Sequence, residues 1–128
     1  MVYSRELIDH FEHPRNPGII EHPDAIVQVE NPVCGDVLKL SARVLDGRIA
    51  EIRFQAKGCV PAMACASAVT ELVEAKSVPE AAGIRRDDIV KRVGGVPTVS
   101  THAAQLAADA ITALAEELKL SCQSKARK

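Results

Sequence analysis

Two thiols, a carboxylate and an imidazole stand at the ends of elements in this chain, not in their middles. Cys34 and Asp36 flank a glycine in Asn31-Pro32-Val33-Cys34-Gly35-Asp36; Cys59 follows Lys57-Gly58; His102 opens the last helical stretch at Thr101-His102-Ala103. Thiolate, imidazole and carboxylate together suit Zn²⁺ or an iron–sulfur cluster and exclude an all-oxygen calcium site. Glycine beside Cys34 and beside Cys59 permits close backbone approach or a positive φ. Cys59 lies just ahead of a helix N-terminus, where the dipole favours thiolate over thiol. Each residue also has an ordinary reading as a loop thiol, a turn aspartate or a capping histidine. Cys65 falls on the apolar stripe of its helix, which suits a small buried hydrophobe. Cys122 has no assigned role. No CxxC pair exists, so any centre is assembled from distant parts of the chain.

The elements that must position these groups are legible from periodicity. Ser4 to His13 has helical spacing at Leu7, Ile8 and Phe11, a Ser4 cap, and a stop at Pro14 and Asn16-Pro17-Gly18. Ala25 to Asn31 reads as a weak strand. Asp36 to Val44 alternates, with Leu38, Leu40, Ala42 and Val44 facing inward. Asp46-Gly47 is a hairpin turn, and Arg48 to Lys57 puts Ala50, Ile52, Phe54 and Ala56 on the same dry face. After Pro61 the period becomes helical through Ala62, Cys65, Ala66, Val69, Leu72, Val73 and Lys76, with Met63, Ser67, Thr70 and Glu74 turned away. Short helices follow at Ser77 to Ala82 and Asp87 to Val93, and a long one runs from Ser100 or Thr101 to about Leu120. The order predicts an α+β fold: a three-stranded antiparallel meander sheet with an N-terminal helix and several C-terminal helices packed on it. In a meander, the loops bearing Cys34, Asp36 and Cys59 share one sheet end, and the start of the last helix joins them there. Residues 1–120 form one domain, and 121–128 read as a polar, frayed tail.

The 128 residues are 47% apolar and 26% charged, the profile of a globular chain and not a disordered one. A net charge of −1 gives no field for nucleic acid or an anionic membrane. Three aromatic rings, Tyr3, Phe11 and Phe54, are too few for a base-stacking platform. No apolar run approaches the ~20 residues of a membrane span, and the N-terminus does not read as a signal peptide. The expected compartment is the cytoplasm, with thiols reduced.

With these residues in view, the chain resembles the U-type iron–sulfur cluster assembly scaffolds, the IscU-like and NifU N-terminal family. Tyr3-Ser4 through Ile8-Asp9-His10-Phe11-Glu12-His13-Pro14-Arg15-Asn16-Pro17-Gly18 is similar to that family's opening helix. Asn31 to Asp36, Phe54-Gln55-Ala56-Lys57-Gly58-Cys59 with Thr70-Glu71-Leu72-Val73, and Val96-Pro97-Thr98-Val99 with His102 match its three later motifs. The resemblance implies a non-enzymatic scaffold for a nascent [2Fe–2S] cluster. Sulfur would arrive as persulfide from a cysteine desulfurase, and the cluster would pass to iron–sulfur acceptor proteins. It also implies that Cys34 and Cys59 carry metal or persulfide, that His102 is a further ligand, and that Asp36 binds metal while leaving the cluster labile. The family's third cysteine, directly after the histidine, is here Ala103, and Cys65 is the substitute ligand that the second-motif helix offers. The chaperone-docking motif lacks its lysine and a proline at Ser100 and Thr98, which puts chaperone docking in doubt. Iron is the expected metal and Zn²⁺ the alternative occupant. Two other readings compete: a zinc-bound sulfur acceptor of the same family, and a degenerate relative that only binds partners. The zinc branch's insertion between the middle helices is missing from the short span between Val73 and His102, and all four candidate ligands are retained. Both facts favour the scaffold. Whether a homo-oligomer shares the cluster is open.

Overall fold

Helix α1 (Arg5–Glu12) starts where Ser4 Oγ accepts from the Leu7 amide, 3.0 Å away, and the same hydroxyl donates to the Val93 carbonyl. The computed structural model describes residues 3–33 and 35–126, with side chains described through Leu120. Strands β1 (Ala25–Glu30), β2 (Val37–Leu45) and β3 (Arg48–Lys57) form an antiparallel sheet in the order β1-β2-β3. Five α-helices make up the rest of the regular structure among the described residues: α1, then α2 (Val60–Val73), α3 (Val78–Ala82), α4 (Arg86–Arg92) and α5 (Thr101–Ala126), the last preceded by a 3₁₀ turn at Thr98–Ser100. The fold is therefore the expected α+β arrangement of a three-stranded meander covered by helices. No helix among the described residues is long and apolar enough to cross a membrane.

The core lies between one sheet face and the helices. Leu38, Leu40, Ala42, Ile52 and Phe54 meet Val69 and Val73 of α2 and Ile111, Leu114 and Leu118 of α5. Between α1 and β1 the chain turns back across the opposite face. Gly18 donates to the Phe54 carbonyl on the free edge of β3, and the Ile20 amide donates to Ser41 Oγ at 3.1 Å, which explains why outward-facing Ser41 is buried.

Four local expectations are corrected. Ala50 is exposed and Ile49 buried, because the β2–β3 register shifts between Arg43 and Val44. Arg43 pairs with Glu51 and Val44 with Ile49, so Ala50 is the extra residue of a bulge, and a bulge reverses the alternation on its own strand. In α1 the buried pair is Leu7 and His10, while Ile8 and Phe11 are each 40% exposed. Helix α2 has no polar outer face: Ser67 and Thr70 are as buried as Val69, and the helix stops at Val73, before Lys76. It is enclosed by the sheet, α1, α4 and α5, and its Ala residues let those neighbours approach. Helix α5 runs past Leu120 to Ala126, since no Pro or Gly follows Pro97 to stop it.

The buried polar atoms of α1 and α2 satisfy one another. His10 Nδ1 lies 2.8 Å from Ser67 Oγ, Arg15 N–H donates to the same oxygen at 2.8 Å, and His10 Nε2 lies 3.5 Å from Glu71 Oε1. A neutral imidazole protonated on Nε2 satisfies every partner: it donates to Glu71 and accepts from the Ser67 hydroxyl. Burial, with Arg15 nearby, holds His10 below its ordinary value of 6.5, although Glu71 pulls the other way. The unfolded chain thus takes up a proton just below that value that the folded chain refuses. Stability is complete above about pH 7 and is lost as the pH falls through the unfolded value. Thermal melting followed from about pH 7.5 to 5.5 should show a falling midpoint, and His10→Gln should flatten the fall. A midpoint that rose on acidification would contradict this assignment.

Candidate metal centre

The last β2–β3 pair is Val37 with Lys57, so the residues just outside it, Asp36 and Gly58, face each other at one sheet end. Asp36 is held there by a closed loop. The Asn31 amide donates to the Asp36 carbonyl at 2.8 Å and the Gly35 amide to the Asn31 carbonyl at 2.7 Å, with Gly35 at φ +74° in the left-handed region that the turn demands. Cys59 is the N-cap of α2, with extended backbone, and Pro61 lies in the first turn. His102 is the second residue of α5, brought over by the packing of that helix on β1, β2 and α2.

Three of the candidate ligands converge. Cys59 Sγ lies 3.8 Å from Asp36 Oδ2, and His102 Nε2 lies 3.4 Å from the same oxygen. All three ligand atoms fall within 4.8 Å of one another. Tetrahedral coordination with bonds of about 2.0–2.3 Å needs ligand atoms about 3.5 Å apart. The donors therefore need only a small contraction to hold a Zn²⁺ or Fe ion, and their chemistry, one sulfur, one nitrogen and one oxygen, is that of a borderline to soft cation. Asp36 is buried, His102 half-buried and Cys59 exposed, so the centre opens to solvent on the thiol side. A groove of about 260 Å³ lined by Glu30, Asn31, Pro32, Gln105 and Leu106 leads to His102. Val33 and Val99, 93% and 70% exposed, stand on the neighbouring loop and turn.

The expectation of a thiolate at Cys59 is corrected for the metal-free protein. Partial burial of the sulfur and the adjacent Asp36 carboxylate raise its pKa, and these outweigh the Ala62 and Cys59 backbone amides that pull it down. A cation bound at the same place reverses that balance, since coordination deprotonates a thiol.

The other candidates are distributed differently. Cys34 lies outside the described residues. Cys65 is fully buried in the core with Ala62, Val69 and Leu72 in its helix, and burial pushes its thiol up to about 12. It is not among the three converging ligands. Ala103 is buried in the same core. Ser100 is buried within the 3₁₀ turn where Val99 is exposed. Periodicity missed the close approach of Gly58 to Asp36, whose only trace in the sequence is a glycine before the cysteine.

The fold and site define a small α+β domain with an open sulfur, nitrogen and oxygen centre at one sheet end. The profile of the NifU-like N terminal domain family matches residues 2–122, and the chain belongs to that family. It is 44% identical over 110 residues to the iron-sulfur cluster assembly scaffold protein IscU 1 of Archaeoglobus fulgidus, covering 86% of this chain and 72% of the relative. It is 42% identical over 129 residues to the iron-sulfur cluster assembly scaffold protein IscU of Escherichia coli K12, covering 98% of this chain and 100% of that one. Among solved structures, the N-terminal NifU-like protein of Brucella abortus superposes with a TM-score of 0.77 at 16% identity, over 91% of this chain and 93% of that one, a likeness of fold.

The burial of the two described cysteines separates their roles by experiment. Cys65→Ala should lower stability by about 1 kcal/mol and leave bound metal unchanged. Cys59→Ser should strip metal with little change in the melting midpoint. Loss of metal in Cys65→Ala would assign that sulfur to the centre instead.

Proposed function

We propose that this protein is a scaffold on which a nascent iron–sulfur cluster, of the [2Fe–2S] type, is assembled and from which it passes to acceptor proteins. The observation that carries this reading is the convergence of Asp36, Cys59 and His102 in a family whose relatives are named iron-sulfur cluster assembly scaffolds. Cys34, two residues before Asp36, supplies the second thiolate in this proposal, making four donors without Cys65. Full burial of Cys65 supports leaving it out of the ligand set, and the methyl group of Ala103 has no donor atom.

Sulfur arrives from a cysteine desulfurase. The Cys59 or Cys34 thiolate attacks the terminal sulfur of the donor's persulfide, the donor's S–S bond breaks, and its thiolate leaves. The scaffold then carries the persulfide, and an external two-electron reductant converts that sulfane sulfur to sulfide. Iron enters as substrate. Exposure of the thiol suits this exchange, because the sulfur is reachable while Asp36 is fixed beneath it. A carboxylate is a weaker partner for iron in a sulfide cluster than a thiolate, which keeps the product transferable.

Anaerobic reconstitution with ferrous iron, cysteine, a reductant and a catalytic amount of cysteine desulfurase tests the reading. Visible absorption bands of a cluster, lost when an apo ferredoxin is added and gained by that acceptor, are expected. A colourless protein that keeps one equivalent of zinc against excess iron and sulfide would instead make it a zinc-bound sulfur acceptor. Protein that took up neither metal would make it a partner-binding relative.

A further inference from the structure

Gly58 does not adopt a positive φ, so its backbone makes no demand for glycine. The demand is for space. A Cβ built on Gly58 would lie 2.5 Å from Asp36 Oδ1 and 2.7 Å from Asp36 Cγ, with Ala62 Cβ at 3.2 Å. Both Asp36 distances are closer than real Cβ contacts allow. The carboxylate is therefore seated edge-on against bare backbone: Oδ1 is packed on Gly58, and Oδ2 alone faces Cys59 and His102. Asp36 is 5% exposed and its side chain is short, so it yields to a new methyl group only by rotating, which carries Oδ2 off the centre.

We infer that Gly58 is a positioning residue for the metal centre: its missing side chain seats Asp36 so that a single carboxylate oxygen is presented to the ion. This inference rests on reading Asp36, Cys59 and His102 as a metal centre. An alanine at 58 should leave the fold intact, because the position is exposed and its backbone is unstrained.

Anaerobic Co²⁺ titration, read by the ligand-field and thiolate-to-cobalt absorption bands, tests it on wild type, Gly58→Ala, Asp36→Ala and the double variant. Gly58→Ala should weaken Co²⁺ binding by about tenfold while keeping the thiolate-to-cobalt band. In the Asp36→Ala background the same change should have no further effect, since the two act through one carboxylate. Equal losses in both backgrounds, or wild-type affinity in Gly58→Ala, would overturn the inference. A crystal structure of metal-free Gly58→Ala supplies a second readout: the carboxylate should be rotated away from Cys59, and Asp36 unmoved beside the new methyl would refute the packing argument. Wild-type protein that bound no Co²⁺ would refute the metal-centre reading itself, and the metal-free crystal structure would still decide the packing.

Discussion

The pairing of Val37 with Lys57 at the last rung of the sheet governs the arrangement at the candidate centre. Antiparallel register makes the residues beyond that rung neighbours, so Asp36 before β2 meets Gly58 and Cys59 after β3. A slip of one residue would turn every side chain of β3 to the other face. Register is protected by the burial of Leu38, Leu40, Ile52 and Phe54, which a slip would expose. The same hydrophobic burial that folds the sheet thereby sets a polar geometry 3.8 Å across. The bulge at Ala50 sits at the far end of the hairpin, where the shift of register leaves the centre undisturbed.

Helices supply the third donor and the rigidity. His102 reaches Asp36 because α5 packs along β1 and β2 with Ala104, Ala107, Ile111, Leu114 and Leu118 buried. Helix α2 fixes Cys59 at its first turn, and it is itself held on nearly every side. Its polar residues Ser67, Thr70 and Glu71 are all used by α1 and the segment after it: Ser67 with His10 and the Arg15 amide, Thr70 with the Arg15 carbonyl at 3.1 Å, and Glu71 with His10 and Arg15. No buried polar side-chain atom among the described residues lacks a partner. Helices α2 and α5 thus carry a reactive rim whose thiol side meets solvent most.

Much of this was readable in the chain alone. Asp46-Gly47 marked the hairpin, Ser4 and Ser77 marked helix starts, and alternation in β2 gave the dry face, because each is a local signal with a local cause. All four candidate ligands at element ends were named from the sequence, and the structure brings Asp36, Cys59 and His102 together. The fourth, Cys34, lies outside the described residues. What escaped the reading depends on tertiary neighbours. Ser67 and Thr70 looked like a solvated face until α1 covered them. His10 stands beside Phe11, yet His10 is inside with Leu7 and Phe11 is half-exposed, since the Ser67 hydroxyl gives the buried imidazole a partner. Ala50 followed a perfect alternation that a bulge interrupts. Gly58 has no periodic signature, for its role is the absence of an atom.

In the proposed scaffold the metal is held by two thiolates, one carboxylate oxygen and one imidazole, with Cys65 left in the core. X-ray absorption fine structure on zinc-loaded, full-length protein counts those ligands directly. Two sulfur and two nitrogen or oxygen scatterers at ordinary zinc distances are the expected result, with the outer-shell scattering of a single imidazole. Three sulfur scatterers, or a shell with no imidazole contribution, would contradict the account.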